Sequence, residues 1–499
     1  MALRIIEVLS AIVVCGSVFG NSSSLSSFVP NALMGAATTY YVSPSGSNSN
    51  PGTFAQPWRT ITYAVGSSSP APANSTIYVQ AGDYGNENVV IRKDGLKLIG
   101  YHTKPGDQPA ILANSMLPVV DFEPMHQPLL RGANRSSGIG INLQGRAGVT
   151  VLNFNITNYA YGVSAGNTNQ NFKEGHLISN VNVSQIGNPT AGYSGLGISL
   201  GSMGTRFSNG VSVRNCMIVN AAAEGLSING DQNAVDNVKV YNLETVGAAS
   251  TDYYVLICGS HNLVQNSMIS RAPGSSHNGH GFTIKSNASQ VVDNNLPYPT
   301  INPQFNVIRR CVAFNLGESY VVRHRGVRNN TFENNKAFGA GSDSNCQGNG
   351  IVIRDGASQN KFVNTLVENA CSGVRFNDTV EDGDTGPSPT GHPGARNVID
   401  GISVRNTYYG INFNSYSIPS DAGANLISNS TFERVRYVFG VTRRATVMRY
   451  RNIVFMGTLG VLPPDVGGFR TGTYSADIVP SQFTSCTFTN IAGGIPPGF

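Results

Sequence analysis

The sequence predicts an all-β fold, a right-handed parallel β-helix with a short N-terminal capping helix. Three observations predict it: a six-residue pattern that recurs along the middle of the chain, a second alternating pattern between its occurrences, and the composition. Only 12% of the 499 residues are charged and 57 are glycine, which suits short strands joined by tight turns rather than helices. A chain of this length would ordinarily divide into several domains, but in a solenoid each repeat packs only on its neighbours.

The six-residue pattern is a small or polar residue, often Gly, then two apolar positions separated by one residue. It reads YGVSAG (161–166), GLGISL (195–200), EGLSIN (224–229), DYYVLI (252–257), HGFTIK (280–285), ESYVVR (318–323), NGIVIR (349–354), SGVRFN (372–377) and YGINFN (409–414). Most steps are about 23 to 31 residues, in the range of solenoid repeats. Between these runs lie segments such as NVKVYNLE and NVIRRCVAFN, whose alternation fits half-buried strands. Asn recurs at similar places in successive repeats and predicts stacked side-chain ladders at the turns. Helical repeats would need a helical period, which is absent.

The ends differ from the middle. Arg4 followed by VLSAIVVCGSVFG reads as a secretory signal peptide over 1–20, so the protein is expected to be secreted, with no membrane attachment after cleavage. An uncleaved anchor is the alternative, although the run is short for a membrane span. The rest, 21–499, reads as a single β-helix domain: 38–110 the N-terminal cap and first coils, 130–445 the central coils, and 446–499 the C-terminal coils and cap. A short amphipathic helix near 57–66 would cover the first coil, whose apolar surface and strand edge need protection. Six cysteines follow the signal, Cys216, Cys258, Cys311, Cys346, Cys371 and Cys486, and spacing leaves open whether they are bridged or buried thiols. Sequons such as those at Asn155, Asn182 and Asn377 would permit glycosylation in a secreted eukaryotic protein. An Asn- and Ser-rich solenoid also generates them by chance. The net charge of +5 is too weak to argue for nucleic acid.

Stacking brings equivalent positions of successive coils about 4.8 Å apart. Alternation sends the third and fifth residue of each run inward and the first, fourth and sixth outward. The sixth position then reads Asn229, Ile257, Lys285, Arg323, Arg354 and Asn377, so three cations stack on one face. Like charges at that spacing repel. They are solvated, or paired with carboxylates such as Glu318, Asp355 or those of the loop near 378–384, or they form a site for an anionic ligand. His280 and Glu318 occupy first positions of the same runs, and His277, Asn278 and His324 are close in sequence. The long connections 286–305 and 378–396 would emerge beside these coils and wall a cleft.

At these residues the chain resembles the polysaccharide lyase family of chondroitinase B and alginate lyases. The matching residues are Lys285-Ser286, Asn306, Asn315, Gly317, Arg323-His324 and Gly326. HGFTIK resembles, more weakly, the β-helix pectate lyases. The resemblance covers about 280–340. It implies β-elimination on a uronic-acid polysaccharide, alginate-like or glycosaminoglycan-like. Lys285 would be the base that removes the C5 proton, and Arg323 the acid or charge stabiliser. Arg354, His280, His324, Asn278, Glu318, Arg325 and Tyr320 are the expected substrate-binding residues. Calcium-dependent members place two glutamates just before the lysine. Here Asn278 and His280 stand there, so no cofactor is expected, calcium is in doubt, and Arg354, His280 or His324 would neutralise the substrate carboxylate instead. No metal residues are expected, and no C-x-x-C pair or His/Cys cluster suggests zinc. The partner expected is an acidic polysaccharide met by a monomer. Two other readings of the same face are a uronan C5-epimerase or a glycoside hydrolase, with Glu318 and Asp355 as candidate carboxylates, and a non-catalytic carbohydrate-binding or adhesion β-helix.

Overall fold

The computed structural model describes residues 38–190, 195–202, 205–244, 251–272, 279–287, 301–339, 348–377, 394–414, 423–441, 448–457, 468–471, 478–491, 494–495 and 497–499. The expected signal peptide, His277, Asn278, Cys346 and the acidic loop near 378–384 lie outside the described residues. Residues 38–499 form one compact unit.

The fold is a parallel β-helix. The described residues form 38 strands, and the chain visits three parallel ladders in turn on each coil. In one coil the strands are Val307–Arg309, Val312–Phe314 and Glu318–Arg323. Each pairs with its counterpart one coil before and one coil after. The ladder that contains Glu318–Arg323 carries the six-residue runs. It continues through Tyr253–Ile257, His280–Lys285, Asn349–Arg354 and Ser372–Asn377.

Two asparagine devices make the corners. Between the first and second strands of a coil, a single residue with positive φ turns the chain: Asn237 (φ 52°), Asn266 (φ 51°), Asn334 (φ 56°) and Asn364 (φ 50°) occupy this corner. Asparagine tolerates the left-handed region better than other non-glycine residues. Ahead of the first strand, the expected ladder is present: Asn233, Asn262, Asn306, Asn330, Asn360, Asn397 and Asn425 stack with at most 1% exposure. The backbone N–H and side-chain amide of Asn306 both donate to Asn330 Oδ1, at 3.0 and 2.8 Å. Asn330 repeats this onto Asn360 at 3.1 and 2.9 Å. Buried amides are thus satisfied from coil to coil.

The interior is a continuous apolar column with aromatic stacks along it. Phe282 lies on Tyr320 with centroids 5.5 Å apart, and Phe332 on Phe362 at 4.6 Å. At the N-terminal end the capping helix is present over Ile61–Val65, shorter than the expected 57–66, because Trp58 is taken into a strand-like bridge with Val42. Ile61, Ala64 and Val65 bury their side chains against the first coils. Thr60 caps the helix by accepting from Tyr63 N–H, and Glu87 accepts from Ile61 and Thr62 N–H. At the other end Phe469 and Phe483 pack edge-on against Phe439, Phe488 stacks on Phe455, and Phe499 packs edge-on against Phe469 and Phe483.

Cys216, Cys258, Cys311 and Cys486 are free thiols, and Cys371 is disulfide-bonded. The sequon residues Asn155, Asn182 and Asn377 are at most 5% exposed, so the folded chain cannot present them for glycosylation. No helix among the described residues is long and apolar enough to cross a membrane.

Candidate functional site

Register decides which side chains meet. Lys285, Arg323, Arg354 and Asn377 are consecutive partners across the ladder, so the cations do share one column. Their neighbours Ile284, Val322, Ile353 and Phe376 point into the core. One coil is shifted from the expected register. Tyr253 pairs with His280 and Ile257 with Ile284, so Ile257 is an inward residue, and Cys258, next along, takes the outward place ahead of Lys285. The run DYYVLI is apolar at every position after its aspartate, so alternation supplies no phase there. On the outer side Tyr253, Leu256 and Cys258 form a small apolar cluster of their own.

The two arginines of the column are neither solvated nor splayed. Arg323 and Arg354 are 8% and 7% exposed, and carboxylates neutralise both. Asp355, in the turn after Arg354, accepts from Arg323 Nε at 3.2 Å and from Arg354 Nε at 3.1 Å on one oxygen. Glu318 accepts from Arg354 at 3.1 Å on each of its oxygens and from His280 Nδ1 at 2.9 Å. The His280 ring stacks on Tyr253, with centroids 4.9 Å apart. Such charge-assisted bonds offset the cost of desolvating the ions.

Tyr253 joins the two candidate catalytic residues. Its hydroxyl accepts from Lys285 Nζ and from Arg323, each at 3.3 Å. A phenol has two acceptor lone pairs and one proton, so accepting twice leaves that proton for a third partner. Burial pushes the Tyr253 hydroxyl up, against the opposing pull of Arg323. Burial pushes the Lys285 ammonium down, and Arg323 adds to the effect. Burial also opposes ionisation of Glu318, yet Arg354 and His280 hold its carboxyl well below the usual range. Glu224, one coil before Tyr253, is pushed up by burial, with Asp252 adding to the shift.

Several expected site residues change role. Tyr320 is not presented to the face: it is the inward third residue of its run, fully buried, and its hydroxyl donates to the carbonyls of Cys311 and Lys336. His324 has a φ of 81° and donates from Nδ1 to the Ser286 carbonyl at 2.9 Å. Burial, then Arg323 and Lys285, lower its pKa to about 3, so it is neutral near pH 7 and cannot supply a cation to a carboxylate. Its observed contact ties the residue after Lys285 to the next coil. Arg354 is engaged by Glu318 and Asp355 rather than turned to a ligand. Arg325 lies half-exposed in the turn beyond Arg323. Asn278 falls outside the described residues. The oxygens of Glu318 and Asp355 that could otherwise face a calcium ion are turned to arginines.

Sequence reasoning missed Tyr253 and Arg375. Tyr253 was hidden by the one-residue slip. Arg375 is the outward fourth residue of its run, paired with Val352 and Asn412, and only its position in SGVRFN signalled it.

No family model matches the chain, and no curated protein matches it. Among solved structures, the A-module of a mannuronan C-5 epimerase from Azotobacter vinelandii aligns with a TM-score of 0.48 and 12% identity, over 86% of this chain and 94% of that one. The catalytic domain of a GH87 alpha-1,3-glucanase in complex with nigerose aligns with a TM-score of 0.46 and 12% identity, over 94% and 70%. An alginate lyase in complex with G6 aligns with a TM-score of 0.46 and 11% identity, over 85% and 92%.

Proposed function

We propose that this chain is a secreted polysaccharide lyase that cleaves a uronate-containing polysaccharide by β-elimination. The observation that carries the reading is Lys285: an amine half-buried beside Arg323 and held on the hydroxyl of Tyr253. A lysine is a useful base only where its neutral form is accessible, and burial with a neighbouring cation provides that.

The residues support a compact proton circuit. The neutral amine of Lys285 takes the C5 proton of a uronate. The electron pair left at C5 forms a C4–C5 double bond, and the bond from C4 to the glycosidic oxygen breaks. That oxygen takes the Tyr253 hydroxyl proton, which the Lys285 ammonium replaces along their hydrogen bond. Arg323 stays protonated and stabilises the negative charge that develops during the transfer. Asp355 fixes its orientation.

The test is purified protein incubated with alginate, dermatan or chondroitin sulfate, and pectate, followed by the ultraviolet absorbance of the unsaturated product. On the best substrate, Lys285→Ala and Arg323→Ala lower kcat/KM by at least about a hundredfold. Full activity in either variant would sink the assignment.

A second reading has one specific observation in its favour. Glu224, with its carboxyl pushed up and Asp252 nearby, has the character of a proton donor for glycoside hydrolysis. Glu318 does not, because its carboxyl is held ionised.

A further inference from the structure

Arg375 presents a problem that the proton circuit does not use. It is half-buried on the outer side of Ser372–Asn377. Its Nε is buried without a hydrogen-bond partner, and no ion pair to it forms among the described residues. Its nearest charges cannot serve it fully: Glu318, which favours its charged form, already binds Arg354 and His280, and Arg354 repels it. A buried donor in this state is costly to the free protein, because nothing replaces the water that the Nε has lost. Unpaired buried polar groups of this kind call for an explanation.

The next coil carries a matching gap. Asn412 is the register partner of Arg375, and its Oδ1 is also buried without a partner. Its amide donates only weakly, to Ser372 Oγ at 3.4 Å. An unpaired donor and an unpaired acceptor thus lie side by side on one outward row. Beyond them the ring of Tyr409 lies across Gly440, close enough that a Cβ there would touch it. That leaves an aromatic surface beside the row, of the kind on which a sugar ring can rest.

We propose that Arg375 and Asn412 form a second subsite on this face, which binds the carboxylate and a ring hydroxyl of a uronate unit removed from the one being cleaved. The guanidinium fork matches a carboxylate in plane and spacing, and Asn412 Oδ1 accepts from the hydroxyl. Arg375 is two coils beyond Arg323 in the ladder, roughly 10 Å along the axis at about 4.8 Å per coil. The polymer therefore runs along the solenoid toward the C-terminal coils, and the subsite holds a unit beyond the scissile bond. Arg354, neutralised internally, stands between the two positions as a spacer. This inference deepens the lyase reading and rests on it for the identity of the ligand.

The experiment separates the two claims. Binding of uronate oligomers is measured by calorimetry in the Lys285→Ala background, where turnover does not interfere, with and without Arg375→Gln. A long oligomer should lose roughly tenfold or more in affinity on Arg375→Gln. A dimer too short to span both positions, and a carboxyl-reduced long oligomer, should lose nothing. Arg375→Lys should recover part of the loss, and Arg375→Gln should melt no lower than its parent, since it removes a buried donor that has no partner. An equal loss for long, short and carboxyl-reduced ligands, or no loss for the long one, overturns the subsite. Length-dependent loss in a protein whose wild type forms no unsaturated product leaves the subsite standing and removes the lyase.

Discussion

Lys285 is set in a place that does not favour its charge, and the consequence can be read in a pH profile. Burial and Arg323 both lower its pKa, so the rising limb of kcat/KM against pH should mark its deprotonation. Replacing Arg323 with Gln removes a neighbouring positive charge. The ammonium then becomes easier to keep, its pKa rises, and the limb moves to higher pH while kcat falls. A limb that stayed in place or moved to lower pH would contradict this electrostatic coupling. At this scale the sequence was only partly legible. The cations at 285, 323 and 354 were visible because alternation in HGFTIK, ESYVVR and NGIVIR is phased by polar residues. Tyr253 was not, because DYYVLI lacks a polar residue to set the phase. The low pKa of His324 was illegible for another reason: it depends on burial between coils, which a linear pattern does not encode.

The strands owe their alignment to the corners between them, and these corners make separable contributions to stability. In the buried ladder, Asn330→Ala would strip the acceptor from two N–H groups of Asn306. It would also strip the donor from the carbonyls of Pro303 and Arg328. Buried groups left unsatisfied cost about 1–3 kcal/mol each, so urea denaturation should show a loss of roughly 3 kcal/mol or more. At the exposed left-handed corner of the same coil, Asn334→Gly should change stability by less than about 1 kcal/mol, because glycine adopts that φ without a steric cost. Similar losses for both would contradict the assignment of the buried ladder as the stabilising one. The ladder was expected from the recurrence of Asn. That the two corners use Asn for different reasons, one for its amide and one for its backbone, could be told apart only by burial and φ.

Across the whole molecule, the solenoid turns a repeat of about one coil into a continuous face. The fold class and the stacking of Lys285, Arg323 and Arg354 followed from the period and from alternation. The internal neutralisation of Arg323 and Arg354 did not. Asp355 reaches both only because the turn after Arg354 places it there, with a φ of 54°. The outward row was read as solvent-facing, yet Leu256, Thr283, Val321 and Val352 are fully buried. This is why Arg375 went unnoticed: a position on the outer side of a solenoid is exposed only where nothing covers it.

The central claim is that this face breaks a uronate chain by elimination. The mass balance of the products tests it most directly. Oligosaccharides released from a uronate polymer of defined length should sum to the mass of the substrate, each new non-reducing end carrying a double bond and no added water, and the release should vanish in Lys285→Ala. Products heavier by one water per cut, lost in Glu224→Gln but retained in Lys285→Ala, would contradict the account and make the enzyme a hydrolase.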